Sequence, residues 1–444
     1  MSALILWLHG VPLARIERDL RRTNAPIKFT WTDRGVEAFK GLRVLSTLMR
    51  VGDSVSPVVA KVYLDGLLPE GNARKNYAIA AGVSDPDDTY GLLERYGADT
   101  PGAAVIVVDE AGDPTAAGSY EPITIDEVAM RIRHADEHSR ADNTGIAPGS
   151  SALPGMVPKI ALHRAADGSW LLPKGGAPST WILKRAGLAR DGDDVIDTEV
   201  LCLELARAVG LSSVHAEILD FGDVRAIAVS RYDRRDVGGR IERLHQEDFA
   251  QALGVPAQDV NAKFQWGRTR PTLALIAAVL GDAGASTIGL ARLAAFSWIV
   301  GNTDMHAKNL SLTRTVDDVV DIAPAYDVSM RLHHSGSREF ALDYNGVYRA
   351  DDTTVEHVIA EIASWDGWTV RRARRLVADL ARDLNVALAS TNLDHHPGVS
   401  VHVLDTVRDR INLAAEATRN HAPNSVAAPT GPGAPATPKP RRRS

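Results

Sequence analysis

The sequence predicts an α+β chain in two lobes, strand-rich first and helical second, preceded by a small N-terminal unit. Three observations support this. Short apolar runs of strand length, punctuated by Gly, Pro and Asp, dominate up to about residue 235. Helical periodicities dominate from about residue 245 onward. Between them the nearly all-apolar stretch Ala285–Val300 reads as a buried helix, and it runs straight into the polar loop Asn302-Thr303-Asp304-Met305-His306-Ala307-Lys308-Asn309.

Residues 1–110 read as a β-rich subdomain. Its strand candidates are Ala3–Leu8, Lys28–Trp31, Ala60–Tyr63 and Ala103–Val108, with helices near Gly71–Ala81 and Asp87–Tyr96. Asp87 or Asp88 would cap the second helix and Gly97 would end it. A further helix is expected over 122–134. The strand-rich lobe, 111–235, contains Pro158–His163 and Ser169–Leu172 around the turn signal Asp167-Gly168. It continues with a strand at Ser179–Lys184, a helix at Thr198–Val209 closed by Gly210, and strands at Ala216–Leu219 and Ala226–Tyr232. The helical lobe, 236–421, should end in helices near 353–365, 369–389 and 398–419. Residues 422–444 are rich in Pro, Ala, Gly and Thr and should be disordered, because they hold too little apolar surface to offset the entropy of ordering.

Composition narrows the function. The chain has 444 residues, 45% hydrophobic and 24% charged, as expected of a soluble globular protein. A net charge of −6 gives no global reason to hold nucleic acid or an anionic membrane. The single cysteine, Cys202, lies in an apolar helical pattern and reads as a core thiol, so no internal disulfide and no cysteine metal cluster are expected. Met1–Gly10 reads as a strand rather than a signal peptide, and no run is long and apolar enough to span a bilayer. A cytoplasmic protein is expected.

The chemistry concentrates in a few polar residues. Asp304, Asn309 and Asp327 form the polar kit of a kinase-like phosphoryl-transfer site. Asp304 would orient the attacking hydroxyl. Asn309 and Asp327 would offer oxygen ligands to Mg²⁺, which leans on few protein carboxylates. Lys184 ends the apolar strand Trp181-Ile182-Leu183 and would meet the nucleotide phosphates, held by Glu199 on the next helix. The loop around Gly155 would approach the phosphates with its backbone N–H groups. Backbone groups at Arg231 and Tyr232 would face an adenine edge, with the Tyr232 ring packed on it.

These residues resemble the HipA family of bacterial toxin serine/threonine kinases. The matching pieces are Leu67-Leu68-Pro69-Glu70, Pro154-Gly155 with Pro158-Lys159, Ile182-Leu183-Lys184, Thr198-Glu199, Val229-Ser230-Arg231-Tyr232-Asp233-Arg234, Leu244-His245-Gln246-Glu247-Asp248, Thr303 to Asn309, and Tyr326-Asp327. The resemblance implies a two-lobed protein-kinase-like fold with an extra N-terminal subdomain and an all-helical C-terminal lobe. It implies ATP and Mg²⁺ in the cleft, a protein substrate, and a helix-turn-helix antitoxin through which DNA is contacted indirectly. On this resemblance Asp304, Lys308 and Asn309 are catalytic, with Lys308 steadying the transferring phosphate. Asn309 and Asp327 hold metal. Gly155, Lys159, Lys184, Glu199, Arg231 and Tyr232 bind the nucleotide.

The sequence departs from the family at three places. A self-phosphorylated serine is expected three residues before the loop glycine. That position is Ala152, so Ser150 and Ser151 become the candidates. A common loop glutamine is Val157, and a hinge glutamate is Ser230. Two other readings stand beside the toxin kinase: a kinase of a small hydroxylated molecule, and a weakly catalytic nucleotide-binding co-repressor.

Overall fold

The computed structural model describes residues 3–18, 25–109, 114, 118–138, 153–155, 159–185, 194–265, 271–334 and 338–417. Ser150, Ser151, Ala152, Val157 and the 422–444 tail lie outside the described residues.

The N-terminal unit opens with β1 (Leu4–Leu8), β2 (Val11–Glu17) and β3 (Lys28–Trp31). Its helices follow: α1 (Asp33–Phe39), α2 (Pro57–Gly66), α3 (Gly71–Ala81) and α4 (Thr89–Tyr96). The unit closes with β4 (Val105–Val108). The strands form one antiparallel sheet in the order β3-β2-β1-β4. The unit is therefore mixed rather than β-rich. The segment Ala60–Tyr63, expected as a strand, lies in α2. There Ser56 accepts a hydrogen bond from the Val59 N–H and Pro57 presets the first turn, a start signal that outweighs the local β-branched composition. β2 has the opposite history. Pro12 masks its alternation, yet His9 and Gly10 both take positive φ and turn β1 back onto it.

The second sheet is built from β5 (Ser119–Pro122), β6 (Lys159–Arg164), β7 (Trp170–Lys174), β8 (Trp181–Arg185), β9 (Ala216–Phe221) and β10 (Val224–Ser230). Its order is β5-β7-β6-β8-β10-β9. Helix α5 (Ile125–His138) packs Val128, Ala129 and Ile132 on one face. Helix α6 (Val195–Ala208) packs Ile196, Val200 and Leu203 on Ile227 and Val229. Lys184 pairs with Ile227 in the register, so the central strand β8 carries it inward beneath α6.

The third part is not purely helical. A hairpin, β11 (Arg234–Val237) with β12 (Arg240–Arg243), leads into β13 (His245–Asp248). Helices α7 (Phe249–Ala252), α8 (Leu273–Asp282) and α9 (Ile288–Val300) come next. Then β14 (Ser311–Arg314) and β15 (Val320–Ile322) join β13 in the order β13-β14-β15. A second hairpin, β16 (Glu339–Tyr344) and β17 (Val347–Arg349), precedes α10 (Val355–Ala363), α11 (Val370–Ser390) and α12 (Val401–Glu416). The strands escaped the periodicity because β13 to β15 are three or four residues long and mix buried polar with apolar side chains. Helix α9 is buried from Leu290 to Val300 except at Arg292, as its composition requires, and α10 to α12 cover it. Gly301 closes it in the left-handed conformation and releases the chain into Asn302.

The N-terminal unit is welded to the rest by buried charge. Asp99 and Asp233 face three guanidiniums. Arg231 grips Asp233 through both Nε and Nη2, at 3.0 and 2.8 Å. Arg234 reaches Asp99 at 3.0 Å and Asp233 at 3.0 Å. Arg243 lies 3.5 Å from Asp99. Glu247 accepts from Ser46 Oγ and from the N–H and Oγ1 of Thr47. Gly66 lies so close to Gln251 that a Cβ there would sit 2.4 Å from its Cγ. Burial alone would raise the Asp233 carboxyl, but Arg231 and Arg234 outweigh it and lower it from 3.8 to about 2. A carboxyl held low in the fold stabilises it above the ordinary value of 3.8 and loses that contribution as pH falls from about 4 toward 2. Asp99→Asn leaves the buried guanidiniums with one carboxylate and is expected to cost about 3–5 kcal/mol. Urea denaturation near neutral pH measures it, and a cost below about 1 kcal/mol would show that the network is not what joins the units.

Candidate functional site

A cavity of about 240 Å³ opens where β6, β8, α6, the 301–310 loop and the 323–330 segment meet. The loop exists because α9 stops at Gly301 and β14 does not begin until Ser311. Within it the Asp304 N–H donates to Asn302 Oδ1 at 3.1 Å, and Asn309 Nδ2 donates to the Asp304 carbonyl at 2.9 Å. Asn309 is thereby fixed with its amide oxygen free of that bond. Gly155, Lys159, Lys184, Glu199, Arg231, Tyr232, Asp304, Lys308, Asn309 and Asp327 all line this cavity, so the sequence-predicted residues that are described converge on one place.

Lys184 sits at its centre. Its ammonium lies 2.8 Å from Glu199 Oε1 and 2.6 Å from Asp327 Oδ1. Burial alone would lower the Lys184 amine, but Asp327 and Glu199 outweigh burial and raise it. Burial raises Glu199, partly offset by Lys184. The reverse balance holds Asp327 far below the usual carboxylate range: burial would raise it, and Lys184 and Lys159 prevail. Asp327 has a φ of 53°, a left-handed conformation uncommon for a residue with a side chain. Such strain is retained where the surroundings dictate the position, and Asp327 faces the cavity. Tyr326 beside it is anchored by its hydroxyl to Ser311 Oγ at 2.6 Å and to the Lys308 carbonyl at 2.9 Å, and its ring stacks on Tyr232 at 5.4 Å.

Asp304 has a raised carboxyl pKa, chiefly from burial, with Arg331 opposing and Asp327 adding to the rise. Arg331 Nη2 lies 3.3 Å from Asp304 Oδ2. Lys159 donates to the Pro154 carbonyl at 2.8 Å, which closes the turn at Gly155. Gly155 has a φ of 108°, and a Cβ there would sit 2.7 Å from the Lys159 ammonium, so the position demands glycine.

Two of the cavity residues, Arg231 and Lys308, are held by other protein groups. Arg231 has its N–H taken by the Thr180 carbonyl at 2.8 Å, and its side chain is spent on Asp233, Ser179 and Thr100. It locks the hinge to the N-terminal unit. Lys308 is tied at 2.8 Å to Asp248 and lies 3.6 Å from Glu70.

The reading from sequence missed the partners of these lysines. Glu70 occupies the N-cap position of α3 but makes no capping bond. Its carboxylate instead meets Lys263 at 3.1 Å. Glu70, Asp248, Lys263 and Lys308 thus form a buried array of two acids and two bases. The motifs Leu67-Leu68-Pro69-Glu70 and Gln246-Glu247-Asp248 were visible, but nothing local showed that they meet. Asp248 also caps α7, accepting from the Gln251 N–H at 2.8 Å.

The HipA N-terminal domain model matches residues 4–107, and the HipA-like C-terminal domain model matches residues 151–388. A putative kinase, Y4mE of Sinorhizobium fredii, is 29% identical over 335 residues, spanning 74% of this chain and 77% of that protein. A serine/threonine-protein kinase toxin, HipA of Shewanella oneidensis, is 28% identical over 306 residues, 65% of this chain and 68% of that one. In fold, the chain is similar to HipA in the Shewanella oneidensis MR-1 complex of HipA, HipB and operator DNA. The TM-score is 0.75 at 21% identity, covering 94% of this chain and all of that one.

Lys159 offers a direct check on the cavity's electrostatics. Burial, with Lys184 adding, lowers its amine from 10.5 to about 8. Acetylation of Lys159, followed by peptide mass spectrometry, should therefore show a midpoint near pH 8, well below that of surface lysines. A midpoint above about pH 10 would refute the packing described around it.

Proposed function

We propose that this chain, which belongs to the HipA family, is an ATP-dependent serine/threonine protein kinase. It acts as the toxin of a type II toxin–antitoxin module and phosphorylates a cellular protein to arrest growth. The observation that carries the proposal is the convergence of Asp304, Asn309, Asp327 and the Lys184–Glu199 pair on one cavity.

The residues fit Mg²⁺ and a nucleotide. Asn309 and Asp327 present hard oxygen donors, as Mg²⁺ requires. Gln246 Oε1 lies buried at the cavity with no hydrogen-bond partner among the described residues, an acceptor that a polar ligand would satisfy. Bound Mg²⁺ would neutralise charge on the phosphates and help orient them. Lys184, aligned by Glu199, meets the phosphates. Asp304 orients the attacking hydroxyl of the substrate and takes its proton, a role its raised carboxyl favours, and Arg331 aims the carboxylate. Lys308 holds the floor of the site through Asp248 and Glu70, with its charge within the cavity. Asp304→Asn is isosteric and should leave the fold intact while lowering phosphoryl transfer about 10²-fold or more. Labelled ATP with purified protein and a cell extract measures both the activity and its loss. Unchanged transfer in the variant would remove Asp304 from this role.

Self-phosphorylation, in this reading, falls on Ser150 or Ser151. A phosphate there adds about −1.5 to −2 charge in a chain segment leading to Lys159. Peptide mass spectrometry after incubation with ATP decides it, and phosphate found only elsewhere rules both serines out.

The partner is a helix-turn-helix antitoxin, and DNA is contacted through it. A net charge of −6 gives the chain alone few means to neutralise DNA phosphates. Gel-shift titrations should show operator binding only when the partner is present. Tight, sequence-specific binding by the isolated chain at physiological salt would overturn this.

A further inference from the structure

Helix α6 begins at Asp194, and an aspartate in that position ordinarily turns its carboxylate onto the first free N–H groups of its own helix. Asp194 does not, as its side chain makes no capping bond. Both oxygens turn outward to a pair of adjacent histidines. His333 Nε2 lies 2.5 Å from Oδ2, and His334 Nε2 lies 2.9 Å from Oδ1. Neighbouring residues in an extended segment point to opposite sides, but here the His334 N–H bonds the Arg331 carbonyl at 3.0 Å. That turn brings both imidazoles to one side, with ring centres 4.1 Å apart.

From this we infer that Asp194, His333 and His334 form a binding site for a divalent transition-metal ion of the zinc class, separate from the Mg²⁺ ligands of the cleft. The ligand atoms of the three residues all lie within 4.8 Å of one another. Around a tetrahedral zinc ion, nitrogen and oxygen donors stand about 3.3 Å apart, given bonds of about 2.0–2.1 Å. The atoms therefore need small side-chain rotations rather than a backbone movement. Imidazole suits zinc, copper and nickel, whereas Mg²⁺ prefers oxygen alone. Two histidines and one carboxylate leave the fourth position to water or to a ligand from outside. The side chains of Asp194, His333 and His334 are 21%, 19% and 10% exposed, so an ion can reach them. On binding, the metal would take the place of the Nε2 protons that face Asp194, and each imidazole would stay neutral with its one proton moved through solvent to Nδ1.

The location gives the site a consequence. Asp194 opens the helix that carries Glu199. His333 and His334 follow Asp327 on the segment that also carries Arg331, which touches both Asp304 and Ser329. An ion here would tie the element holding Lys184's partner to the element holding the metal carboxylate of the cleft. This inference does not depend on the kinase reading, because it concerns binding alone.

The test uses the full chain, stripped of metal by a chelator and titrated with Zn²⁺ against a chromogenic competitor in the presence of excess Mg²⁺. One equivalent should bind with micromolar affinity or tighter. It should be lost in His333→Gln/His334→Gln and retained in Asp327→Asn, which removes a candidate ligand of the cleft instead. Circular dichroism checks that the double variant is folded. Should it not fold, the absorption spectrum of the native chain with Co²⁺ decides. Intense visible bands of a four-coordinate, nitrogen-ligated ion support the site, and a pale six-coordinate spectrum overturns it. The inference also fails if no saturable Zn²⁺ binding occurs, if binding survives in a folded double variant, or if it vanishes in Asp327→Asn.

Discussion

The rest of the site depends on the Lys184 ammonium, buried between two carboxylates. An unpaired charge at that depth would be prohibitive, and Glu199 and Asp327 both pair with Lys184. Each partner in turn constrains an element. Glu199 fixes α6 against the sheet, and Asp327 fixes the segment that follows β15, even at the expense of a left-handed backbone. In the pair with Asp327, the lysine and the carboxylate proposed to hold metal satisfy each other. A Mg²⁺–nucleotide would have to replace that contact with new ones, offering the lysine phosphate oxygens and the carboxylate a cation.

The same logic extends outward to the N-terminal unit, which is part of the site rather than an attachment. Glu70 reaches from its α3 end to Lys263 and near Lys308, while Asp99 and Thr100 hold the Arg231 side chain at the hinge. Breaking either contact strands buried cations, which costs far more than losing a surface ion pair. The fold of the kinase-like part therefore assumes the N-terminal unit in place.

Much of this was legible in the sequence where local rules govern. Helices α3, α4, α6, α9, α10, α11 and α12 follow from caps and periodicity, and the strands around Asp167-Gly168 follow from the turn. Asp304, Asn309, Asp327, Lys184 and Glu199 were picked out by residue type and spacing, and the fold brings them to one cavity. What remained hidden was set by long-range contact. β13 to β15 are too short to show a period, and the sheet exists because β13 pairs with β14 from more than sixty residues away, Asp248 opposite Ser311, while β15 folds back on β14. Arg231 was expected to offer its backbone to an adenine edge, and its side chain is a buried strut. Glu70 stood out only as the end of the motif Leu67-Leu68-Pro69-Glu70 and is the counter-ion of two lysines. In each case the residue's type was readable, but its partner was supplied only by the fold.

The most direct test of the account is a calorimetric titration of the full chain with a non-hydrolysable ATP analogue, with Mg²⁺ and with EDTA, alongside the Lys184→Met variant. The account predicts one nucleotide per chain, bound about tenfold or more tightly with Mg²⁺ than without it, and a marked loss of affinity in a folded Lys184→Met variant. Equal affinity with and without Mg²⁺, or full affinity without the lysine, would contradict it.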